Sequence, residues 1–344
     1  MKNYILNLYH YTNDYLKKII LKEKNFKINF FTSIKMMIKG FKSDDYILYN
    51  LEKNDPKEYI TEIERWKTRR INGKYNICLD NKYIFYEMFK QYVKIPQNLF
   101  IIKGQKYIGL NNEKIDEKHI FDIIKKYEDI IIKPYIGGGG KEIFLLSYKN
   151  NNFYLDNKKV NEMEITNKLN LCENSIAVEF IKQASYARKI YKKTTNTIRI
   201  ITIYDINTNR CYIPFAIHRF GTQQSVPVDN FCKHGLAAKI DLETGELSYA
   251  KSKFSKNIYE RHPDSNELIQ GVIIPNWNNM KNNIIRVAER FPYIKYISWD
   301  VLPEEEGFSV IEANASSDLD IIQIFGGIRN SDLGKFFKEN KIIR

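Results

Sequence analysis

The 344-residue sequence predicts an α+β fold in which helices fill the N-terminal region and antiparallel strands dominate the second half. Three observations point there. Apolar residues recur at helical spacing up to about residue 75. From about residue 76, short apolar runs bounded by turn residues replace them. Six of the later runs then pair into three hairpins around compact polar turns.

In chain order, Tyr15, Leu16, Ile19 and Ile20 mark a first helix, and Phe30, Phe31, Ile34, Met37 and Ile38 a second that Gly40 closes. Asp55 is placed to cap a third helix running toward Trp66, with Pro56 at its first position, where the missing N–H has no partner to lose. Asn76–Leu79 reads as a short strand, and Asp80 as the cap of a helix from about Asn81 to Gln91 that ends before Pro96. Strands are expected at Leu99–Ile102, Ile130–Lys133, Glu142–Tyr148 and Ala177–Ile181. Ile198–Tyr204 pairs with Cys211–Arg219 around Asp205–Arg210, and Ala237–Leu242 with Leu247–Lys251 around Glu243–Glu246. A helix over Met280–Phe291 precedes the third hairpin, Tyr296–Leu302 with Phe308–Ala313. No internal repeat or low-complexity linker interrupts this order.

An apolar fraction of 43% excludes a disordered chain. The net charge of +13 has three sources to choose from: a nucleic-acid partner, an anionic substrate, or a composition bias toward Lys, Asn and Ile. The charges are scattered, and no helix-turn-helix, zinc-finger or aromatic RNA-binding signature accompanies them. Composition bias with some positive field around an anionic site is therefore adopted, and no nucleic-acid partner is expected. Cys78, Cys172, Cys211 and Cys232 lie far apart without a C-x-x-C pair, which fits reduced thiols in a cytoplasmic protein. The five histidines show no metal-ligand spacing. The segment Asn3–Leu16 is broken by Asn, His and Asp and lacks a small-residue cleavage site, so no signal peptide is expected. No apolar run approaches the length of a membrane span.

The third hairpin carries the most chemistry. With Pro303–Gly307 as its loop, Leu302 faces Phe308 and Asp300 faces Val310; because side chains alternate, Glu312 and Asn314 then share the face of Asp300. A solvated acidic turn accounts for Glu304, Glu305 and Glu306. It does not account for the other three, because apolar Trp299, Val301 and Ile311 imply that the opposite face is buried. Two carboxylates and an amide oxygen on one face suit an oxygen-ligated cation such as Mg²⁺, which shares its shell with phosphate oxygens.

Ile130–Lys133, then Pro134 to Lys141, then Glu142–Leu146 read as strand, glycine loop, strand. The G-K-[ST] ending of a Walker A loop is absent, and no helix follows, which also excludes the dinucleotide fingerprint. Gly137, Gly138, Gly139 and Gly140 let backbone N–H groups close over an anion, with Lys133 beside them to pair with a phosphate. A plain flexible turn with an edge-strand lysine fits the same residues equally well.

Taken in order, Lys133-Pro134 with its glycine hairpin, the apolar strand Ala177–Ile181 carrying Glu179, and the terminal Asp300…Glu312-x-Asn314 resemble the ATP-grasp enzymes. That group contains D-alanine–D-alanine ligase and many carboxylate–amine ligases. Gly40–Tyr46, Asn196–Ile200 and Val228–Asn230 are similar to its sugar-transfer-associated subgroup, and the resemblance spans about residues 40–327. It implies an ATP-grasp fold with two α+β lobes clamping ATP. Residues 76–178 would form the lobe with the glycine flap and 179–330 the lobe with the Mg²⁺ site, between a helical 1–75 region and a 331–344 tail.

The resemblance also implies roles. Lys82 and Lys133 would meet the ATP phosphates under the flap Gly137–Gly140. Glu179, Phe180 and Ile181 would read the adenine, and Gln183 would lie at the ribose. Mg²⁺, or Mn²⁺ in its place, would sit on Asp300, Glu312 and Asn314. Arg199 and Arg219, together with Lys133, would be catalytic, holding the γ-phosphate or an acyl phosphate, a charge that bidentate guanidinium contacts suit. His234 stands where the subgroup has glycine and reads as a loop residue, and Gln323 is a candidate for orienting substrate. The implied reaction joins a carboxylate to an amine through an acyl phosphate. Its substrates would be a sugar acid or amino acid, free or glycan-linked, and its setting surface-polysaccharide assembly. A kinase acting on a hydroxyl and a non-catalytic nucleotide-binding scaffold are the competing readings.

Overall fold

The computed structural model describes residues 25–344 apart from Gln105, Asn112 and 138–141. The first expected helix, around Tyr15–Ile20, and the flap residues Gly138, Gly139 and Gly140 lie outside the described residues. The second expected helix forms as Phe30–Ile38, capped by the Asn29 side chain at its start. Gly40 ends it with φ +85°, and the Gly40 and Phe41 amides donate back to the Met37 and Met36 carbonyls. That paired return is a Schellman closure, which a Cβ at Gly40 would oppose.

Two antiparallel sheets make up the rest. The first runs β3-β2-β1-β8-β4-β5-β6-β7, from β1 (Asn98–Lys103), β2 (Lys106–Gly109), β3 (Lys114–Ile115), β4 (Asp129–Pro134), β5 (Phe144–Lys149), β6 (Asn152–Leu155), β7 (Lys158–Val160) and β8 (Ser175–Glu179). The second runs β13-β12-β11-β10-β9-β14-β15, from β9 (Ile198–Asp205), β10 (Arg210–Phe220), β11 (Leu236–Ile240), β12 (Leu247–Ser252), β13 (Ile258–Tyr259), β14 (Tyr296–Pro303) and β15 (Phe308–Asn314). All three expected hairpins pair as antiparallel neighbours.

Alternation decides which faces are buried. In β4, Ile130 and Ile132 point into a core with Phe100, Ile120, Ile124, Ile165 and Leu169, supplied in part by the helices Glu117–Tyr127 and Glu162–Asn170. Lys133, one residue on, takes the opposite face. In the second sheet, Ile198, Ile200 and Trp299 pack against the helices Lys82–Phe89 and Trp277–Glu289. The other face holds Ile201, Ile203 and Tyr296 under Met36, Phe41, Tyr49 and Tyr59 of the N-terminal segment and Phe336 and Phe337 of the helix Asp332–Glu339. The N-terminal helical region is thus a roof over half of that face, and each fully buried aromatic in it contributes about 1.5–3 kcal/mol.

Two local expectations are corrected. Residues 76–79 do not form a strand: Ile77–Asp80 is a helical turn, and Asn81, not Asp80, caps the next helix by accepting from the Tyr83 and Ile84 amides. A run of three apolar residues, Ile77 to Leu79, has no readable period, and here burial of Leu79 beside Phe85 and Phe89 selects the helix. The helix expected from Asp55 to Trp66 is broken in two. Asp55 caps only the 3₁₀ turn Pro56–Glu58, Tyr59 and Ile60 are extended and buried, and Glu62–Lys67 begins afresh from a Thr61–Glu64 capping box. Among the described residues no helix is long and apolar enough to cross a membrane.

Candidate active site

The third hairpin closes one residue tighter than expected, with Pro303 opposite Phe308 and Val301 opposite Val310. A β-bulge between Val301 and Asp300 then absorbs Ile311 and restores the parity. As a result Asp300 faces Glu312 directly, not Val310, and Ser298 faces Asn314. Without the bulge Ile311 would lie opposite Asp300, and the polar residues would be divided between the two faces.

The row continues across the sheet. Arg199 on β9 is the register partner of Asp300, and Arg219 on β10 lies diagonally beyond it. Arg199 grips Asp300 with two bonds of 2.9 Å, Nε to Oδ1 and Nη2 to Oδ2, while Arg219 Nη2 lies 3.1 Å from Oδ2. Burial alone would raise the Asp300 pKa, but the two guanidinium groups outweigh it and hold the carboxyl well below its usual range. Arg219 is oriented by Thr197 and by Asp229, whose carboxylate lies 3.6 Å from Nε and also accepts from the Thr197 amide at 2.7 Å. Behind the row, buried His218 lies between the Tyr186 hydroxyl and the Arg219 carbonyl, and desolvation lowers its pKa to about 3, so it stays neutral. The sequence signals Thr197 and Asp229 only through the Asn196–Ile200 and Val228–Asn230 stretches, and it gives no signal of His218.

The helix Lys82–Phe89 and strand β4 of the first sheet each deliver a lysine to the same place. Lys82 Nζ donates to the Gly137 carbonyl at 2.8 Å and lies 3.5 Å from Glu312, while its backbone amide donates to Tyr135. Lys133 Nζ reaches the Ile311 carbonyl at 3.3 Å, its one hydrogen bond among the described residues. Burial pulls its pKa down to about 8, with Glu312 opposing and Lys82 adding to the fall. Lys82, Lys133, Arg199 and Arg219 therefore face three carboxylates, Asp300, Glu312 and Asp229. This excess of partly buried positive charge suits a polyanion.

Among the described residues no three His, Cys, Asp or Glu side chains surround a common cation position. Two carboxylates and a carboxamide nevertheless fit Mg²⁺, which takes one or two protein carboxylates and completes its shell with water and phosphate oxygens. Asn314 has a buried amide nitrogen with no partner, so its amide is not committed elsewhere through that end. Asp300 is committed to its arginines, so ligation there requires it to share an oxygen with them.

The adenine and ribose expectations fare differently. Glu179 accepts from the Gln97 amide at 3.2 Å, and the Phe180 amide donates to the Asp129 carbonyl at 3.3 Å, so neither group is free as it stands. Ile181 is 8% exposed. Gln183 has both ends of its side-chain amide engaged: it donates to the Thr194 carbonyl at 2.7 Å and accepts from the Asn196 amide at 3.0 Å, clamping the turn before β9. Gln323 is likewise structural, accepting from the Ile60 amide and donating to its carbonyl at 3.0 Å. Buried amides are retained where both ends are satisfied, which explains both residues without a ligand.

A second charged cluster, which the sequence did not mark as a site, joins the N-terminal roof to this face. Lys42 Nζ lies 3.0 Å from Glu62 and 3.4 Å from Asp320, Lys253 also pairs with Asp320, and Arg65 bridges Glu62 and Asp318. Asp45 is buried beside them and accepts from the Lys42 amide at 2.8 Å. Burial raises its pKa to about 7; Lys42 opposes the rise, and Asp320 and Glu62 add to it. Because the folded value lies above the unfolded one, near 3.9, this group's contribution to stability is complete below pH 4 and is lost as pH rises through 7. Asp45→Asn, which keeps the acceptor oxygen, is expected to flatten that decline and to match or exceed the native protein's melting temperature at pH 8. Melting curves from pH 5 to pH 8 check this, and an unchanged slope contradicts it.

A family model described as sugar-transfer associated ATP-grasp matches residues 64–331. No curated protein matches the sequence. Among solved structures, the chain is similar to the ATP-grasp ligase PsnB complexed with a phosphomimetic variant of its minimal precursor, Mg and ADP. That likeness has 12% identity and a TM-score of 0.42, and covers 79% of this chain and 62% of that one. D-alanine–D-alanine ligase from Bacillus anthracis gives 14% identity and a TM-score of 0.37, covering 77% and 62%. The biotin carboxylase domain of Hydrogenobacter thermophilus 2-oxoglutarate carboxylase gives 14% and 0.40, covering 72% and 44%. The chain thus spans about three fifths of the length of the first two. The family match takes in most of the chain and the whole Arg219–Arg199–Asp300–Glu312 row, and the chain belongs to the sugar-transfer-associated ATP-grasp family.

Proposed function

We propose that this protein is an enzyme that uses Mg²⁺-ATP to activate a carboxylate and join it to an amine. The observation that carries the reading is Lys133: a half-buried ammonium with one long hydrogen bond among the described residues, set among Lys82, Arg199 and Arg219, is costly to maintain unless an anion completes it. The nucleotide would lie between the two sheets, with Lys82 and Lys133 on its phosphates and the glycine segment from Gly137 covering them. Asp300, Glu312 and Asn314 would hold Mg²⁺, or Mn²⁺ in its place, which when bound neutralises phosphate charge and orients the transferring group.

In the first half-reaction a carboxylate oxygen takes the γ-phosphoryl group and ADP leaves. In the second the amine nitrogen attacks the acyl carbon, phosphate departs with that oxygen, and the amine loses a proton. No protein nucleophile is needed; the chain supplies position and charge. Arg199 and Arg219, already fixed by Asp300, Thr197 and Asp229, would steady the acyl phosphate. A sugar acid or amino acid in surface-polysaccharide assembly is the substrate class we favour, in a cytoplasmic two-lobed enzyme divided near residues 178–179.

Incubation with Mg²⁺-ATP, hydroxylamine and a panel of uronic and amino acids tests this. A hydroxamate formed together with ADP is expected for one class of acid, and Glu312→Gln should lower its formation about a hundredfold or more. A stable phosphate ester instead would mean a kinase, and nucleotide binding without turnover on any acid would mean a scaffold; either result rejects the ligase.

A further inference from the structure

A cavity of about 320 Å³ opens at the rim of the second sheet, where β10, β11 and β12 end. It lies on the face opposite the charged row, because Phe220, Leu236 and Ser252 are register partners there while Arg219 points to Asp300. Thr222, three residues past Arg219, lines it, so the two places are separated by at most about 11 Å of backbone. They also share one loop. Asp229 orients Arg219, and five residues on His234 enters the cavity wall, its carbonyl accepting from Thr222 Oγ1 at 3.0 Å.

His234 is held in the left-handed region, φ +68°, and its ring stacks on Phe254 with centroids 3.7 Å apart. The following residue must be glycine, since a Cβ at Gly235 would meet the Asp229 carbonyl oxygen at 2.6 Å. A non-glycine residue kept in that conformation costs about 1–3 kcal/mol, and such strain collects at ligand clamps. Tyr259 adds a third ring, and hydroxyls of Thr222 and Ser252 with the Asp264 carboxylate add hydrogen-bonding groups. No lysine or arginine lines the cavity, which argues against a phosphate or a carboxylate inside it. Aromatic faces interleaved with hydroxyls and one carboxylate match a ring with an apolar C–H face and a rim of hydroxyls. The volume falls at the low end for small-molecule sites and suits one such ring.

We propose that this cavity is a subsite for a neutral pyranose ring, stacked on His234 and Phe254 and held by Asp264, in a glycan-linked substrate whose reacting group lies at the Arg219 row. The proposal rests on the ligase reading for the role of the subsite, not for its existence. Saturation-transfer NMR with millimolar methyl pyranosides of hexoses and N-acetylhexosamines tests it, with ADP binding measured in parallel by calorimetry. At least one glycoside should show transfer to its ring protons, reduced tenfold or more in Phe254→Ala and in Ser255→Trp. The second change fills the cavity rim while leaving the His234–Phe254 stack in place. Both variants should bind ADP as the native protein does, which also shows that they fold. No transfer from any glycoside, or transfer unchanged in Ser255→Trp, overturns the subsite. Failure of the native protein to bind ADP overturns the ligase reading and leaves the glycoside result to decide the subsite by itself.

Discussion

Lys133→Met is expected to weaken ATP binding by about tenfold to a hundredfold while leaving the free protein as stable as before or more so. Lys133 is half-buried, and its one side-chain partner among the described residues is the Ile311 carbonyl at 3.3 Å. Desolvation and the neighbouring Lys82 pull its pKa to about 8, so keeping it charged works against folding at neutral pH. Methionine is similar in length and carries no charge to desolvate, so the fold loses little packing and one unfavourable term. A phosphate would lose a charge-assisted bond worth about 1.5–3 kcal/mol, which sets the change in affinity. Calorimetric titration with ATP and Mg²⁺, alongside denaturation in urea, separates the two effects. A variant that loses stability but keeps its affinity would make Lys133 a structural lysine and remove the main support for the nucleotide site.

The strand half of this fold was legible because two-residue alternation and turn chemistry are local. The hairpin carrying Asp300, Glu312 and Asn314 illustrates both the reach and the limit of that reading. Parity alone put the three residues on one face. The pairing differs because the turn is one residue tighter and a bulge follows it, and neither leaves a mark in composition; Ile311 looks like any other strand isoleucine. The same limit applies to Gln183 and Gln323, whose exposed-looking amides turn out to clamp backbone groups that are distant in sequence. Ion pairs such as Lys42–Asp320, 278 positions apart, cannot be seen from spacing at all. Lys133 stands out by its place beside the glycine loop, and Lys82, Arg199 and Arg219 by the resemblance; the structure adds what neither supplies: which carboxylates they face, and that four cations meet three, Asp300, Glu312 and Asp229.

Asp320→Asn is expected to cost about 3–5 kcal/mol of stability, a large share of the roughly 5–15 kcal/mol typical of a folded protein. Asp320 is 3% exposed and is the carboxylate paired with Lys253, itself 5% exposed at the end of β12. Lys42 also reaches it, but Lys42 keeps Glu62 at 3.0 Å; Lys253 would be left without a paired carboxylate. Burial pushes the Asp320 pKa up, yet Lys253 and Lys42 more than reverse that and hold it well below the ordinary value. A depressed carboxyl pKa stabilises the fold above the unfolded value near 3.9 and is lost as pH falls below it, so the native protein should weaken steeply in acid and the variant much less. Because the damage lies in the uncompensated lysine, adding Lys253→Met to an Asp320→Leu change should recover most of the loss, as apolar replacement of a whole buried pair does elsewhere. Urea denaturation of the single and double variants at pH 7 measures both quantities. A single-variant loss under about 1 kcal/mol, the range of an exposed pair, would mean that water reaches this cluster. The N-terminal roof would then be held by the packing of Met36, Phe41, Tyr49 and Tyr59 and not by its charges.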